Sequence, residues 1–246
     1  MSVIAAEIPP YRIRESKRAR RARIQVSPMG EVEVVVPRGF NQSLIPGFMN
    51  GHRQWLARTL ARNQASRPAE LDAAVPAGMH LAASGQSYEL SYRQGGRSAV
   101  RVVDGGLVVT LSSRTNLHEL LQRWLSGQAR SWLGSKLDEL AAWSGLEFGR
   151  LSIRGQRSRW GSCSSSGDIS LNRALMFLPA DMAEYVLIHE LCHTRHMNHS
   201  RKFWALVAEL QPDYRQLDRR LRQGWQHVPR WAVARSGESG TGFLVE

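Results

Sequence analysis

Apolar and polar positions alternate in Ala22–Val26 and again in Glu31–Pro37, with Ser-Pro-Met-Gly between the two runs. A period of two interrupted by a Pro-x-Gly break predicts a β-hairpin. From Gln42 to about Asn63 the period lengthens. Leu44, Ile45, Phe48, Trp55, Leu56 and Leu60 predict an amphipathic helix there, weakened locally by Pro46, Gly47 and Gly51. Residues 64–77, rich in Ala, Pro and polar side chains, have the character of a linker. Strand signals return at Met79–Leu81, Ser87–Tyr92, Ser98–Val103 and Leu107–Leu111, with Gly95-Gly96 and Gly105-Gly106 as hairpin turns between them.

Helical periodicity dominates the second half. Leu117, Leu120, Leu121, Trp124, Leu125, Trp132, Leu133, Leu137 and Leu140 form one stripe between Asn116 and Ser144, suited to a core rather than to a ligand. Two short strands, Arg150–Arg154 and Asp168–Asn172, follow, joined by a loop that contains Arg157–Ser164. Pro179 precedes an apolar helix running from Ala183 through residue 193. Phe203, Trp204, Val207 and Leu210 predict a further helix from Arg201 to about Gln211, stopped by Pro212. Another runs from about Asp213 to Arg222 and ends at Gly224. The Gly- and Ser-containing tail beyond Ser236 is expected to be mobile. The pattern is α+β: a β-rich module with one helix over 11–112, a mainly helical domain with a small sheet over 113–228, and a tail over 229–246.

Composition narrows the class. Hydrophobic content of 42% and charged content of 22% are those of a globular protein. No run approaches 18 apolar residues, and the N-terminus lacks the apolar core of a secretory signal, so neither a membrane span nor a membrane partner is expected. Cys163 and Cys192 make no disulfide framework, and a reducing cytoplasm is the expected setting. Cys192 reads as a small buried hydrophobe. The net charge of +12 is concentrated early, with seven basic residues between Tyr11 and Arg23. Two explanations stand: an anionic partner such as nucleic acid or a nucleotide, or a solvated cationic strand face. No zinc-finger, RRM or helix-turn-helix pattern accompanies the charge.

The chemistry concentrates in Tyr185–His199, which holds four of the chain's eight histidines and contains His189-Glu190-Leu-Cys-His193. At 3.6 residues per turn His189 and His193 stack along one helix face, about 6 Å apart along the axis. Two neutral imidazoles so placed can grip one tetrahedral ion with bonds of about 2.0–2.1 Å. Glu190, turned about 100° round the helix, borders that ion without ligating it, where a general base for a metal-activated water belongs. A catalytic zinc keeps one position open, so a third protein ligand is needed. On a continued helix His196 lies roughly 7 Å beyond the midpoint of the first two histidines, too far to share the ion. His199 reaches it if the helix ends and the chain folds back. Asn198 tolerates a left-handed turn, and Ser200 can cap a helix starting at Arg201. His199 is therefore the expected third ligand, with His196 the alternative.

Arg159-Trp-Gly-Ser-Cys-Ser164, Gly167-Asp-Ile-Ser-Leu-Asn172, His189-Glu-Leu-Cys-His193 and Asn198-His-Ser-x-x-Phe-Trp204 together resemble the YgjP-like metallopeptidase domain of the gluzincin-type hydrolases. The N-terminal Arg-x-Arg strand region and Pro37 are also similar to it. The likeness covers most of residues 12–224. It implies a zincin-like helical domain with one zinc per chain at His189, His193 and His199, and a catalytic Glu190. It also implies kinship with SprT-like proteases, which act on proteins near DNA. A nucleoside-triphosphate hydrolase activity has been attached to the family as well.

The leading expectation is zinc-dependent hydrolysis of a peptide bond in a peptide or protein substrate. Arg159, Ser162, Arg157 or a backbone N–H of the 157–164 loop would serve the substrate or its oxyanion. Asp168–Asn172 would be the edge strand along which an extended substrate lies. An alternative is metal-dependent nucleoside triphosphate hydrolysis, with Arg157 and Arg159 on phosphate, although no glycine-rich phosphate loop is present. A third is a non-catalytic zinc-containing nucleic-acid-binding module with Cys163 as fourth ligand.

Overall fold

The computed structural model describes residues 8–27, 29–65 and 67–233. The chain divides into two compact units between Pro68 and Ala69. That division falls inside the stretch that reads as a linker, and the strands of residues 78–111 go with the second unit.

In the first unit, strands β1 (Tyr11–Ser16), β2 (Arg23–Val26) and β3 (Val32–Pro37) form a sheet in the order β1-β3-β2. β2 and β3 make the expected antiparallel hairpin, while β1 lies parallel to β3 on its other side. Alternation sends Val32, Val34 and Val36 to one face, where they meet Ile45, Met49 and Leu56 of two helices. Each such burial is worth about 1.5–3 kcal/mol. The single helix expected over 42–63 is instead a 3-10 turn at Gln42–Leu44 followed by α1 (Ile45–Gly51) and α2 (Arg53–Ala65). Pro46 sits in the first turn of α1, where its missing N–H costs nothing. The break comes at His52, with φ −106° and ψ 5°, whose Nδ1–H donates to Phe48 O at 2.8 Å.

The second unit opens with a four-stranded sheet of β4 (Gly78–Leu81), β5 (Gln86–Gln94), β6 (Ala99–Val103) and β7 (Gly106–Leu111), ordered β4-β5-β7-β6. β6 and β7 form a hairpin through Asp104 and Gly105, whose φ angles of 50° and 79° suit the twist of the flanking strands. Gly95-Gly96 is not a hairpin turn, because β7 inserts between β5 and β6 and runs parallel to β5. The chain instead crosses the end of β7. Gly95 N donates to Leu111 O at 2.9 Å, and a Cβ there would lie 2.6 Å from Thr110 Cγ2.

The long helix α3 (Leu117–Ser144) begins where expected, with Asn116 Oδ1 accepting from Glu119 N, and ends at Gly145 in the left-handed conformation. Its stripe of leucines is buried. Next come β8 (Leu151–Arg154), β9 (Gly161–Cys163) and β10 (Ile169–Asn172), in the order β8-β10-β9. Four helices follow: α4 (Ala180–Arg195), α5 (Arg201–Leu210), α6 (Tyr214–Leu221) and α7 (Arg230–Val233). The tail expected from residue 229 thus starts with a helix whose Trp231, Ala232 and Val233 are buried. Arg173 ties it down by donating to Ala232 O at 3.0 and 3.2 Å. The stretch beyond Ser236 lies outside the described residues. No helix among the described residues is long and apolar enough to cross a membrane.

Candidate metal centre

α4 is apolar on nearly every side, with Met182, Ala183, Val186, Leu187, Ile188, Leu191 and Cys192 all buried, so it runs through the interior and carries its polar residues with it. Cys192 is a packed residue as expected, its thiol pushed up to about 12 by burial. The helix stops at Arg195. His196 is extended, with φ −134° and ψ 95°, and its carbonyl turns back to accept from His193 Nδ1–H at 3.0 Å. That bond fixes the tautomer and leaves His193 Nε2 as the free lone pair.

The reversal brings His199 over the helix. Its Nε2 lies 3.1 Å from His189 Nε2, and one ring nitrogen from each of His189, His193 and His199 falls within 4.8 Å of the others. Two nitrogens bound to a tetrahedral ion at about 2.0–2.1 Å are about 3.3–3.4 Å apart, close to the separation seen. Neither His196 nor Cys163 joins the group found among the described residues. Asn198 is not left-handed, since Asp104 is the one described non-glycine residue with positive φ. The extended His196 makes the reversal instead, and Ser200 N closes it on Asn198 O at 2.8 Å. Ser200 caps α5 as expected, accepting from Phe203 N.

Aromatic rings wall the three imidazoles. Phe203 is fully buried and stacks on His193 at 4.4 Å between centroids, while Trp204 stacks on His199 at 5.5 Å. Both appear in the sequence as core residues, and only the fold places them against the histidines. Burial first, then the neighbouring His193 and His199, depress the His189 imidazolium to about 4. Burial also lowers His193. Neutral rings with aimed lone pairs fit a borderline-soft divalent cation.

Glu190, the residue after His189 on α4, lies against β9. A Cβ on Gly161 would lie 2.6 Å from Glu190 Oε1, so only glycine lets the carboxylate sit there. The carboxyl is 6% exposed, and burial raises it to about 7 against the opposing influence of Arg159. Its Oε2 is buried with no hydrogen-bond partner among the described residues.

β9 itself lies inside the stretch expected as a loop. The expectation that Asp168–Asn172 is the edge strand is overturned, because β10 is central, between β8 and β9. β9 is one of the two edge strands, and it packs on α4. The bonds Asn172 N→Trp160 O and Ser164 N→Asp168 O put the even-numbered residues in the β10 ladder. The backbone groups of Gly161 and Cys163 therefore face the free edge. Alternation also turns the Ser162 side chain away from the Glu190 face, beside Ser170. Arg159 is exposed just before β9, and Arg157 is half-buried earlier in the same loop.

Asn172 is a residue whose role the sequence concealed. Fully buried, it donates from Nδ2 to Gln156 O at 2.7 Å and to Arg159 O at 2.9 Å, while Oδ1 accepts from Ala174 N at 3.0 Å. Together with the stack of Trp160 on Trp225 at 4.1 Å, it shapes the loop that leads into β9.

Histidines paired one turn apart, a third folded back and a buried carboxylate between them define the class of metal-dependent hydrolases. The family model for the YgjP-like metallopeptidase domain matches residues 20–224, and the chain belongs to that family. Membership makes it a metallopeptidase at the family level, with a divalent metal implied. No curated protein matches the sequence. The crystal structure of the metallopeptidase zymogen of Pyrococcus abyssi abylysin is similar at 25% identity, covering 39% of this chain and 96% of that one, with a TM-score of 0.35.

Proposed function

We propose that the protein hydrolyses peptide bonds with one zinc ion held by His189, His193 and His199, and with Glu190 as the general base. The observation that carries this reading is the convergence of three imidazole nitrogens within 4.8 Å beside a carboxylate that packs on the bare backbone of Gly161. Zinc, when bound, supplies a Lewis acid that lowers the pKa of water towards about 7 and polarises a carbonyl.

The remaining work belongs to the chain. Glu190 Oε2, buried and without a hydrogen-bond partner among the described residues, accepts a proton from the attacking water and passes it to the departing amine nitrogen. Its protonation range near neutrality suits both steps. The free edge of β9 offers the N–H and C=O groups of Gly161 and Cys163 to an extended substrate, which would add as a further strand. Arg159, exposed at the entry to β9, would hold a carbonyl or carboxylate of that substrate.

Elemental analysis of purified wild type, His199→Ala and His196→Ala tests the ligand set. One zinc per chain, lost in His199→Ala and kept in His196→Ala, is expected; the reverse pattern refutes it. Cleavage of a denatured-protein or peptide-library substrate by the loaded wild type, abolished in Glu190→Gln with zinc retained, is the companion result. Full activity in Glu190→Gln removes the base assignment.

A further inference from the structure

The first compact unit carries most of the chain's charge. Twelve of the 33 Lys and Arg residues precede Ala69, against four of the 21 Asp and Glu, so +8 of the net +12 resides there. The sheet register gathers much of it at one end. β1 finishes with Ser16 beside Pro37, and β2 starts with Arg23 beside Val35. The connection 17–22 therefore passes over the C-terminal end of β3, from which Arg38 emerges. Lys17, Arg18, Arg20, Arg21, Arg23 and Arg38 meet there, all exposed, and none has an ion-pair partner among the described residues.

The outer face of the sheet continues the cluster. Arg14 and Arg23 flank Val35 in register, roughly 10 Å apart across two strand spacings. Arg14 is held upright by Glu33 at 2.9 Å and Gln25 at 3.5 Å. Between Arg12 and Arg23 the one acidic residue is Glu15.

The chemistry of the cluster selects its ligand. Eleven of the twelve cations are arginine, a proportion shared by the whole chain at 30 of 33, and the planar fork of each matches phosphate oxygens in pairs, where a lysine gives only a point charge. On α2, Trp55 is 43% exposed, with Arg58 and Arg62 three and seven residues on along the same face. An indole flanked by guanidinium groups is a stacking surface for a nucleobase. A bilayer surface is a poorer match at the cluster itself, because the connection offers only Ala19 and Ala22 between its cations, and the unit's exposed Ile13, Leu44 and Trp55 lie outside it.

We propose that the unit ending at Pro68 is a nucleic-acid-binding surface. Lys17, Arg18, Arg20, Arg21, Arg23 and Arg38 contact phosphates without reading sequence, and Trp55 stacks on an unpaired base. The surface is independent of the metal centre and of the reaction proposed for it.

The test is fluorescence anisotropy of the full-length protein with labelled single-stranded DNA of about 30 nucleotides, the same sequence as RNA, and the DNA duplex. Each is titrated between about 50 and 300 mM salt. Two quadruple alanine variants, both checked for native circular dichroism, are compared with wild type. One removes Lys17, Arg18, Arg20 and Arg21; the other removes Arg97, Arg101, Arg114 and Arg123, which are exposed in the second unit. The expected result is salt-dependent binding that the first variant weakens at least about tenfold, with the log–log salt slope for single strands reduced by about 3. The second variant should bind as wild type. Tighter binding of single strands than of duplex, lost in Trp55→Ala, supports the stacking contact. The proposal is overturned by absence of binding at low salt, by equal weakening in the two quadruple variants, or by equal competition from polyglutamate or anionic vesicles at matched charge.

Discussion

Gly161 and Glu190 are in contact backbone to carboxylate: the Cβ that Gly161 lacks would fall 2.6 Å from Oε1 and 2.8 Å from Cδ of Glu190. One strand and one helix thus fix the position of the proposed base between them. Gly161→Ala must displace the carboxylate while leaving the three histidines alone. The expected outcome is a loss of kcat of about 10²-fold, within the range attributed to a positioned general base, with zinc content unchanged. Steady-state kinetics beside metal analysis checks it; loss of zinc together with activity would show that the glycine supports the fold and not the base.

Asn172 makes three hydrogen bonds inside the protein, two donated to carbonyls and one accepted from an N–H. Replacing the amide with a carboxylate in Asn172→Asp sets an acceptor against two acceptors. A destabilisation of about 2–3 kcal/mol is expected, more than the loss of one ordinary hydrogen bond. The midpoint of urea unfolding measures it, and an unchanged midpoint contradicts the role given to this side chain.

Asp168 contributes a pH dependence whose direction is fixed by its partners. The Arg150 backbone N–H at 2.8 Å and then its guanidinium at 3.2 Å hold the carboxyl below the ordinary aspartate range. A depressed pKa in the folded state gives stability that is complete above the unfolded-chain value of about 4 and is lost as pH falls through the folded one. The stability difference between wild type and Asp168→Asn is expected to be flat above about pH 5 and to shrink below about pH 4. Urea titrations at a series of pH values follow it, and a difference that grows on acidification is the opposite sign.

Metal removal should loosen the junction between α4 and α5 more than the rest of the molecule. His189 and His193 stay on their helix, whereas His199 is exposed on the turn, where the proposed ion would tie it to the other two. Dialysis against a chelator is expected to lower Tm and to raise amide exchange around residues 196–200. Uniform exchange across the chain, with Tm unchanged, would mean that the ion carries no structural load there.

Local signals in the sequence set out much of this. The stripe of α3 repeats every three or four residues and each cap, Asn116 and Gly145, adjoins the helix end it closes; the paired histidines are one turn apart, and Ser200 adjoins the start of α5. Each is decided by neighbours along the chain. The misses share a different origin. The position of β10 at the centre of its sheet depends on β8 and on β9, whose Gly-Ser-Cys composition carries no strand signal. Gly95-Gly96 looks like a hairpin turn until β7 is known to insert between the strands it joins. Phe203 and Trp204 have the spacing of core residues, and only the turn at His196 makes them walls for imidazole rings. The bonds of Asn172 reach back to Gln156 and Arg159, beyond any local rule.

Every side chain given a part in hydrolysis lies between Arg157 and His199, on consecutive elements of one unit. The chemistry is therefore inherited as a single uninterrupted passage of the gene. The unit that holds this passage begins at Ala69, so the seam at which upstream sequence could be exchanged lies between residues 68 and 69 and not at the edge of the passage. A change within the first 68 residues therefore need not touch any side chain proposed for hydrolysis.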